Sequence, residues 1–364
     1  GATAIKDQII KFTESMIFQK IVVGMESTSL YSFHPATFFQ MDKELNQYEL
    51  VVTVENPFKI KQFSRIFDED KTDRIDAFRI DDYSRLQLYS SSPLKEEKYM
   101  ALQRLTRTRY QMVCQLTEAK QHFLENLTYK CNTLSRELKN GDSPTSVFGA
   151  AMIALMTEDY SLDDFSTMSL DALAELLQHY GKGRFKSPEK IAEAIKKAVR
   201  DSYRLGKLAQ ESIDIILACL VKSIQAFQKQ IKILDQAIED LVVILPEYQC
   251  LRSIPGIGPV YAAGLLAEIG QIERFEDQAK LAKYAGLTWK VSQSGNFQSE
   301  RTPLTKTGNR YFRYYLIEAT NSVRRHLPEF KAYYQKKYKE VPKQQHKRAL
   351  FFFFKQKTAY EMAT

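Results

Sequence analysis

Hydrophobic and polar positions follow two different periods along this chain, and the period changes near residue 95. Before that point, apolar segments with helical spacing are separated by short runs typical of buried strands, KIVVGM at 20–25 and YELVVTV at 48–54. Helices that alternate with strands are typical of a sheet whose strands run parallel. The pattern therefore predicts an α/β domain over residues 1–95.

Two long helices follow the α/β segment. Apolar residues recur three and four positions apart at 102–123 and again at 217–241, a spacing that is typical of coiled coils when it continues for several heptads. An amphipathic helix in an ordinary bundle gives a similar pattern. We expect an antiparallel coiled-coil arm over residues 96–250, with a small helical insert at 139–206.

A turn rich in glycine and proline, SIPGIGP, precedes an apolar helix predicted from Val260 to Ile269. Gly256 and Gly258 allow another backbone to approach closely, and the free amides at the start of the helix favour a phosphate oxygen. A turn that only joins two core helices would look the same. The pattern indicates a helix-hairpin-helix motif, which suits sequence-independent binding to a nucleic-acid backbone.

The charge distribution favours the binding interpretation. Residues 290–350 contain fourteen Lys or Arg and four Asp or Glu, a net charge of +10 that exceeds the +8 of the whole chain. Aromatic rings interleave with these cations, which suits binding to phosphates and to base or sugar faces. A solvated basic surface is the simpler alternative. Besides the two glycines, the candidate DNA-binding residues are Arg301, Lys306, Arg310 and Arg313.

Composition narrows the class of protein. With 364 residues, 44% hydrophobic and 26% charged, the chain is long enough for two or three domains with cores of their own. No apolar run approaches the about 20 residues that cross a bilayer, and no signal peptide is recognisable, so we expect a cytoplasmic protein without a membrane partner. The four cysteines are far apart and predict neither zinc nor disulfides.

Three carboxylates are candidates for metal binding. Glu26 follows the first predicted strand, at the end where α/β sheets display catalytic groups. Asp73 and Asp76 are three positions apart at a predicted helix start and share a helix face. Such oxygen ligands suit Mg²⁺ and two-metal phosphodiester chemistry. A capped helix start with exposed ion pairs explains the two aspartates more simply.

Ser292 and Ser294 lie in a predicted polar loop, with Gly295 beside Ser294. No histidine or aspartate stands near them in sequence, so no catalytic triad is predicted. Taken alone, the loop is most simply a Ser-Gly turn.

Five strings resemble the insertion-sequence transposases of the "one-ten" group, and they stand in the family's order. They are VVGMESTSLY, KTDRIDAFR, SIPGIGPVYAAGLLAEIG, YAGLTWKVSQSG and KTGNRYFRYYL. The resemblance covers most of residues 19–350. It implies that the α/β segment is an RNase H-like (RuvC-like) DEDD nuclease domain, and that the mostly α-helical residues 251–350 form a serine transposase domain.

The resemblance also implies a recombinase that cuts and rejoins donor and target DNA with Mg²⁺. Glu26, Asp73 and Asp76 would supply three of the four metal-binding acids, and Ser294 would join covalently to a DNA phosphate, with Ser292 as the reserve candidate. What is known of the family further implies a guiding bridge RNA and assembly as a homo-oligomer, either a dimer or a dimer of dimers.

The chain departs from the family pattern at both ends. Nothing before Glu26 matches the family's opening strand with its first acid, and Asp7 lies in a helical pattern, so we expect an incomplete nuclease domain. Residues 351–364 begin with four phenylalanines and are encodable by a thymine run and a sequencing-adapter string, so we expect a non-native tail.

Two other functions stay open at this point. A RuvC-like Mg²⁺ nuclease with a structural serine loop would cut DNA without a protein–DNA adduct. A helix-hairpin-helix scaffold without enzymatic activity would fit a chain that truly lacks the first acid.

Overall fold

The computed structural model divides the chain into two compact units. The first comprises Gly1–Met100 and Ile269–Gly308, and the second comprises Ala101–Glu268 and Asn309–Thr364. None of the helices in the described part of the chain is long and apolar enough to cross a membrane. The described residues are 1–15, 18, 20–27, 31–67, 72–89, 96–141, 143–157, 160–289, 293–294, 297–298, 304–340 and 343–352.

Helices alternate with two strands in the first hundred residues. The elements are α1 (Ala2–Ser15), β1 (Ile21–Glu26), α2 (Phe33–Met41), a 3₁₀ turn (Leu45–Gln47), β2 (Leu50–Glu55), α3 (Pro57–Ser64) and α4 (Asp73–Arg85). β1 and β2 pair in parallel, with Glu26 opposite Glu55. Both strands are rich in β-branched residues, which favour extended backbone. The two predicted strands and their parallel direction are therefore confirmed, with ends shifted by one or two residues.

α4 packs against β1. Its start is fixed by Thr72, whose side chain accepts a hydrogen bond from the backbone N of Ile75 at 3.2 Å. The helix approaches so closely that a Cβ on Gly24 would collide with Ser84, with Ile80 beside it. Glycine at this strand position therefore allows α4 to lie directly on the sheet.

Two long antiparallel helices and five short ones form most of the second unit. They are α5 (Glu97–Lys130), α6 (Leu134–Asn140), α7 (Ala150–Thr157), α8 (Leu162–Thr167), α9 (Leu170–Gly181), α10 (Pro188–Asp201) and α11 (Lys207–Val242). Arg109, early in α5, forms an ion pair with Asp235, late in α11, whereas Leu127 and Leu217 share one core at the other end. The helices thus run in opposite directions; their packing as a coiled coil stays a prediction.

The helical insert has a hydrophobic core that it shares with the far end of the two long helices. Phe165 on α8, Leu177 on α9 and Ile195 on α10 are fully buried there together with Phe123 of α5. Lys130, at the end of α5, is also buried and donates to the carbonyl O of Met156 on α7 at 2.7 Å. The insert is therefore a helical cluster attached firmly to the arm.

The remaining elements are short helices and one small hairpin. They are α12 (Pro246–Arg252), α13 (Pro259–Ile269), a 3₁₀ turn (Ile272–Arg274), α14 (Gln278–Tyr284), β3 (Gln293–Ser294), β4 (Phe297–Gln298), α15 (Arg310–Val323), α16 (Pro328–Glu340) and α17 (Gln345–Phe352). Ala349 and Leu350 of α17 are buried against Tyr334 of α16. The chain up to Leu350 thus contributes to the core of the second unit, and the expected tail lies almost wholly outside the described residues.

A buried carboxylate joins three helices of the second unit. Glu268 near the end of α13 has no exposed side-chain surface. Arg107 of α5 donates from Nε to Oε1 at 2.7 Å and from Nη2 to Oε2 at 2.8 Å. Gln103 and Asn309 donate to Oε2 at 2.9 and 2.6 Å. α5, α13 and the residue that precedes α15 are therefore held by one side chain.

Glu268→Ala should lower the free energy of unfolding by about 3–5 kcal/mol, because it removes the carboxylate that pairs with the partly buried Arg107 guanidinium. Urea denaturation followed by circular dichroism measures the change. The exposed Glu273 provides the control. If Glu268→Ala and Glu273→Ala unfold at the same urea concentration, the buried network does not stabilise the fold.

Candidate functional site

Two glutamates lie at the carboxyl-terminal edge of the parallel strand pair, the edge that displays ligands in α/β sheets. Glu26 ends β1, and Glu55 lies opposite to it at the end of β2. Glu55 is 1% exposed; its Oε1 accepts from Thr53 Oγ1 at 2.7 Å, and Lys59 Nζ lies 3.5 Å from its Oε2. Glu55 is not among the predicted site residues, although it ends the run LVVTVE just as Glu26 ends its own strand.

Asp73 and Asp76 lie in the first turn of α4, where the helix dipole favours negative charge. Asp73 is exposed and Asp76 is half-buried, and Asp76 is four residues before Ile80, which faces β1. Within the described residues, no three His, Cys, Asp or Glu side chains are grouped closely enough to hold a metal. The structure thus puts the predicted acids on two packed elements without gathering them into a metal centre.

The candidate nucleophile lies in a short hairpin of the first unit. Ser294 on β3 pairs with Phe297 on β4 in antiparallel fashion. At the base of the same segment, Trp289 and Leu304 form an antiparallel bridge. The segment Ile269–Gly308 belongs to the same compact unit as β1, β2 and α4.

Four other residues singled out in the sequence lie near the hairpin along the chain. Ser292, Gly295 and Arg301 fall outside the described residues. Lys306 is exposed, has a backbone φ of +53°, and donates its backbone N to the carbonyl O of Gly286 at 3.2 Å. The chain therefore leaves the hairpin along a defined path back towards α14.

The two glycines of the turn between α12 and α13 face different surroundings. Gly256 has a φ of +96°, and a Cβ there would lie 2.8 Å from His326 Cδ2 and 2.9 Å from Val323 Cα. A Cβ on Gly258 would meet nothing within 4 Å. The close approach at Gly256 is therefore to the end of α15, whereas Gly258 leaves open space at the start of α13.

The first turn of α15 combines cations with aromatic rings. Arg310 is exposed, and its Nη2 donates to Tyr311 Oη at 2.8 Å, which lowers the pKa of the Tyr311 phenol. The Arg107 guanidinium lies 4.6 Å from the centroid of the same ring. Arg313 is partly buried, which lowers its pKa, yet a guanidinium keeps its charge at neutral pH. This face is suited to phosphates beside ring surfaces.

Tyrosines fix this helix on α5. The ring of Tyr110 lies edge-on to those of Tyr311 and Tyr314, with centroids 5.5 and 4.7 Å apart. Burial raises the pKa of Tyr314 to about 12 and raises that of Tyr315 as well. Both phenols are therefore neutral at physiological pH, and Tyr315 donates to the carbonyl O of Thr106 at 3.2 Å.

Two family models match this chain. One, for DEDD transposases of the IS110 type and described as "Transposase", matches residues 5–131; the other, "Transposase IS116/IS110/IS902 family", matches residues 248–335. The chain belongs to the IS110/IS116/IS902 family of transposases. The first match includes β1, β2 and α4 with their acids, and the second includes the glycine turn and α15.

Curated relatives of this transposase-family chain carry similar names. The insertion element IS110 uncharacterized 43.6 kDa protein of Streptomyces coelicolor is 30% identical over 34% of this chain and 31% of its own length. The transposase for insertion sequence element IS1111A of Coxiella burnetii is 25% identical over 44% and 43%. The insertion element IS116 uncharacterized 44.8 kDa protein of Streptomyces clavuligerus is 24% identical over 62% and 55%. The matches thus span about a third to just over half of each relative.

Gly256→Ala should destabilise the protein by about 1–3 kcal/mol, because alanine is strained at positive φ and its Cβ would collide with α15. Gly258→Ala is the matched control, and we expect a change within about 0.5 kcal/mol. Thermal unfolding of the two variants measures the difference. Equal melting temperatures would show that the turn is not packed as described.

Proposed function

We propose that this chain is part of an insertion-sequence DNA transposase that cuts and rejoins DNA through a covalent phosphoserine. One observation carries the proposal: the segment with Ser294 belongs to the same compact unit as the strand edge with Glu26 and the helix that starts with Asp73 and Asp76. A nucleophile and the acids that assist it must act on one phosphate, and their location in one compact unit is compatible with this chemistry. Family membership supports the same function.

In the proposed reaction the Ser294 hydroxyl attacks a backbone phosphorus. A bond forms between Oγ and phosphorus, the bond from phosphorus to the leaving sugar oxygen breaks, and that oxygen takes up the proton lost by serine. The hydroxyl of a second strand then displaces the serine and rejoins the DNA. A covalent intermediate of this kind divides one difficult step into two easier ones.

Glu26, Asp73 and Asp76 are the proposed Mg²⁺ ligands. Carboxylate oxygens are ligands that Mg²⁺ prefers, and a strand end beside a helix start is a suitable frame for them. The described residues do not fit a closed metal site by themselves. The proposal therefore rests on the family resemblance and requires further ligands.

The proposed partners are DNA, a bridge RNA and further copies of this chain. Gly258 at the start of α13, with Arg301, Lys306, Arg310 and Arg313, would contact phosphates. Large apolar side chains exposed on α11 support oligomer formation, since burial against another copy would remove them from water. The exposed fractions are 80% for Leu208, 67% for Ile215 and 60% for Ile233.

The covalent step is tested in this protein with RNA and DNA present. Ser294→Ala should abolish the protein–DNA adduct on a denaturing gel while DNA binding persists, because only the nucleophilic oxygen is removed. Ser223→Ala, an exposed serine on α11, is the control and should keep the adduct. An adduct that persists in the Ser292→Ala, Ser294→Ala double variant would refute the phosphoserine. Cleavage that never gives an adduct would favour the RuvC-like nuclease instead.

The double variant Arg310→Glu, Arg313→Glu should reduce the slope of log Kd against log salt concentration by about one to two units. Each duplex phosphate that the protein neutralises contributes about 0.9 to this slope. Fluorescence anisotropy with duplex DNA over a salt series measures the slope. An unchanged slope would exclude α15 from the interface.

A further inference from the structure

The loop between α9 and α10, residues 182–186, holds three exposed cations on a well-defined backbone. Lys182, Arg184 and Lys186 are all exposed. α9 ends with Lys182 in the left-handed region at a φ of +51°. Gln178 Nε2 donates to the carbonyl O of Phe185 at 2.9 Å, and the Phe185 ring packs against the insert core. Phe185 thus anchors the loop in the insert core, whereas the three cations of the loop are exposed to solvent.

Two of the cations that follow on α10 are paired with acids. Lys197 lies 2.8 Å from Glu137, and Arg200 lies 3.0 Å from Asp201. Within the part of the chain that the structure describes, no ion pair involves the three cations of residues 182–186. Their charge is therefore available to an anionic partner.

This loop belongs to the opposite end of the arm from α15. Tyr110 of α5 contacts α15, and Lys130 of α5 contacts the insert. Twenty residues separate them, about 30 Å at 1.5 Å per helical residue. One turn of duplex DNA has a similar length, about 34–36 Å.

We propose that residues 182–186 form a second phosphate-binding surface, which takes the backbone of a nucleic-acid duplex that also contacts α15. The inference rests on the proposed function only in requiring nucleic acid as the partner. Such a surface would add affinity and fix the position of the duplex along the arm without reading its sequence. DNA and RNA duplexes share the phosphate chemistry, and both are therefore tested.

The test compares a duplex of about 8 base pairs, shorter than the arm, with one of about 30 base pairs. The triple variant Lys182→Gln, Arg184→Gln, Lys186→Gln should flatten the salt dependence on the long duplex by about two to three units, since three phosphate contacts at about 0.9 each are lost. Binding to the short duplex should stay at the wild-type level, because α15 alone holds it. If the triple variant has a flatter salt dependence with DNA only, with RNA only or with both, the result identifies the source of the phosphates.

The control carries the same charge change at three exposed lysines of α11: Lys222→Gln, Lys229→Gln, Lys232→Gln. Circular dichroism checks that both triple variants are folded, which we expect because all six side chains are exposed. A wild-type slope in the loop variant, or an equal loss in the control, would overturn the loop inference alone. Failure of the wild-type chain to bind any duplex would overturn the proposed function as well.

Discussion

The second unit depends on the burial of the Glu268 carboxylate. A charge removed from water costs several kcal/mol unless close partners compensate for it, and here a two-bond contact with Arg107 is supplemented by Gln103 and Asn309. The partners lie on α5 and just before α15, and Glu268 itself lies near the end of α13. If one of these helices shifted, the Glu268 carboxylate would lose hydrogen-bond partners or become exposed to water. The network therefore fixes the positions of these helices relative to one another.

The position of the basic face follows from this network. Asn309 donates to Glu268 through its side-chain nitrogen and caps α15 through its side-chain oxygen, which accepts from the backbone N of Tyr311 and of Phe312. Helix α15 therefore starts at a point set by a buried charge. The tyrosines of its first turns pack towards α5, which leaves Arg310 exposed. The cap thus determines that the tyrosines of α15 pack against α5 while Arg310 is exposed.

Local pattern predicted the elements well, and distant pairing explains what it missed. The strands, the two long helices and the helix after the glycine turn follow from hydrophobic periods that each segment carries in itself. Which turn glycine is packed depends on Val323, far along the chain, so no local pattern distinguishes Gly256 from Gly258. Glu268 becomes notable only through its contact with Arg107, which lies far away in sequence. The predicted acids are on the expected elements, but a metal centre requires distances that spacing in sequence does not determine.

The same network joins the two residues that flank the segment with Ser294. Residues 269–308 fold into the first unit, yet the residues that flank them, Glu268 and Asn309, are 2.6 Å apart in a direct hydrogen bond. The two residues that flank the segment are therefore held together within the second unit. Fixing both ends removes conformational freedom that an open segment would retain. The buried Glu268 thus restrains both the start of the basic helix α15 and the two residues that flank the segment with the candidate nucleophile.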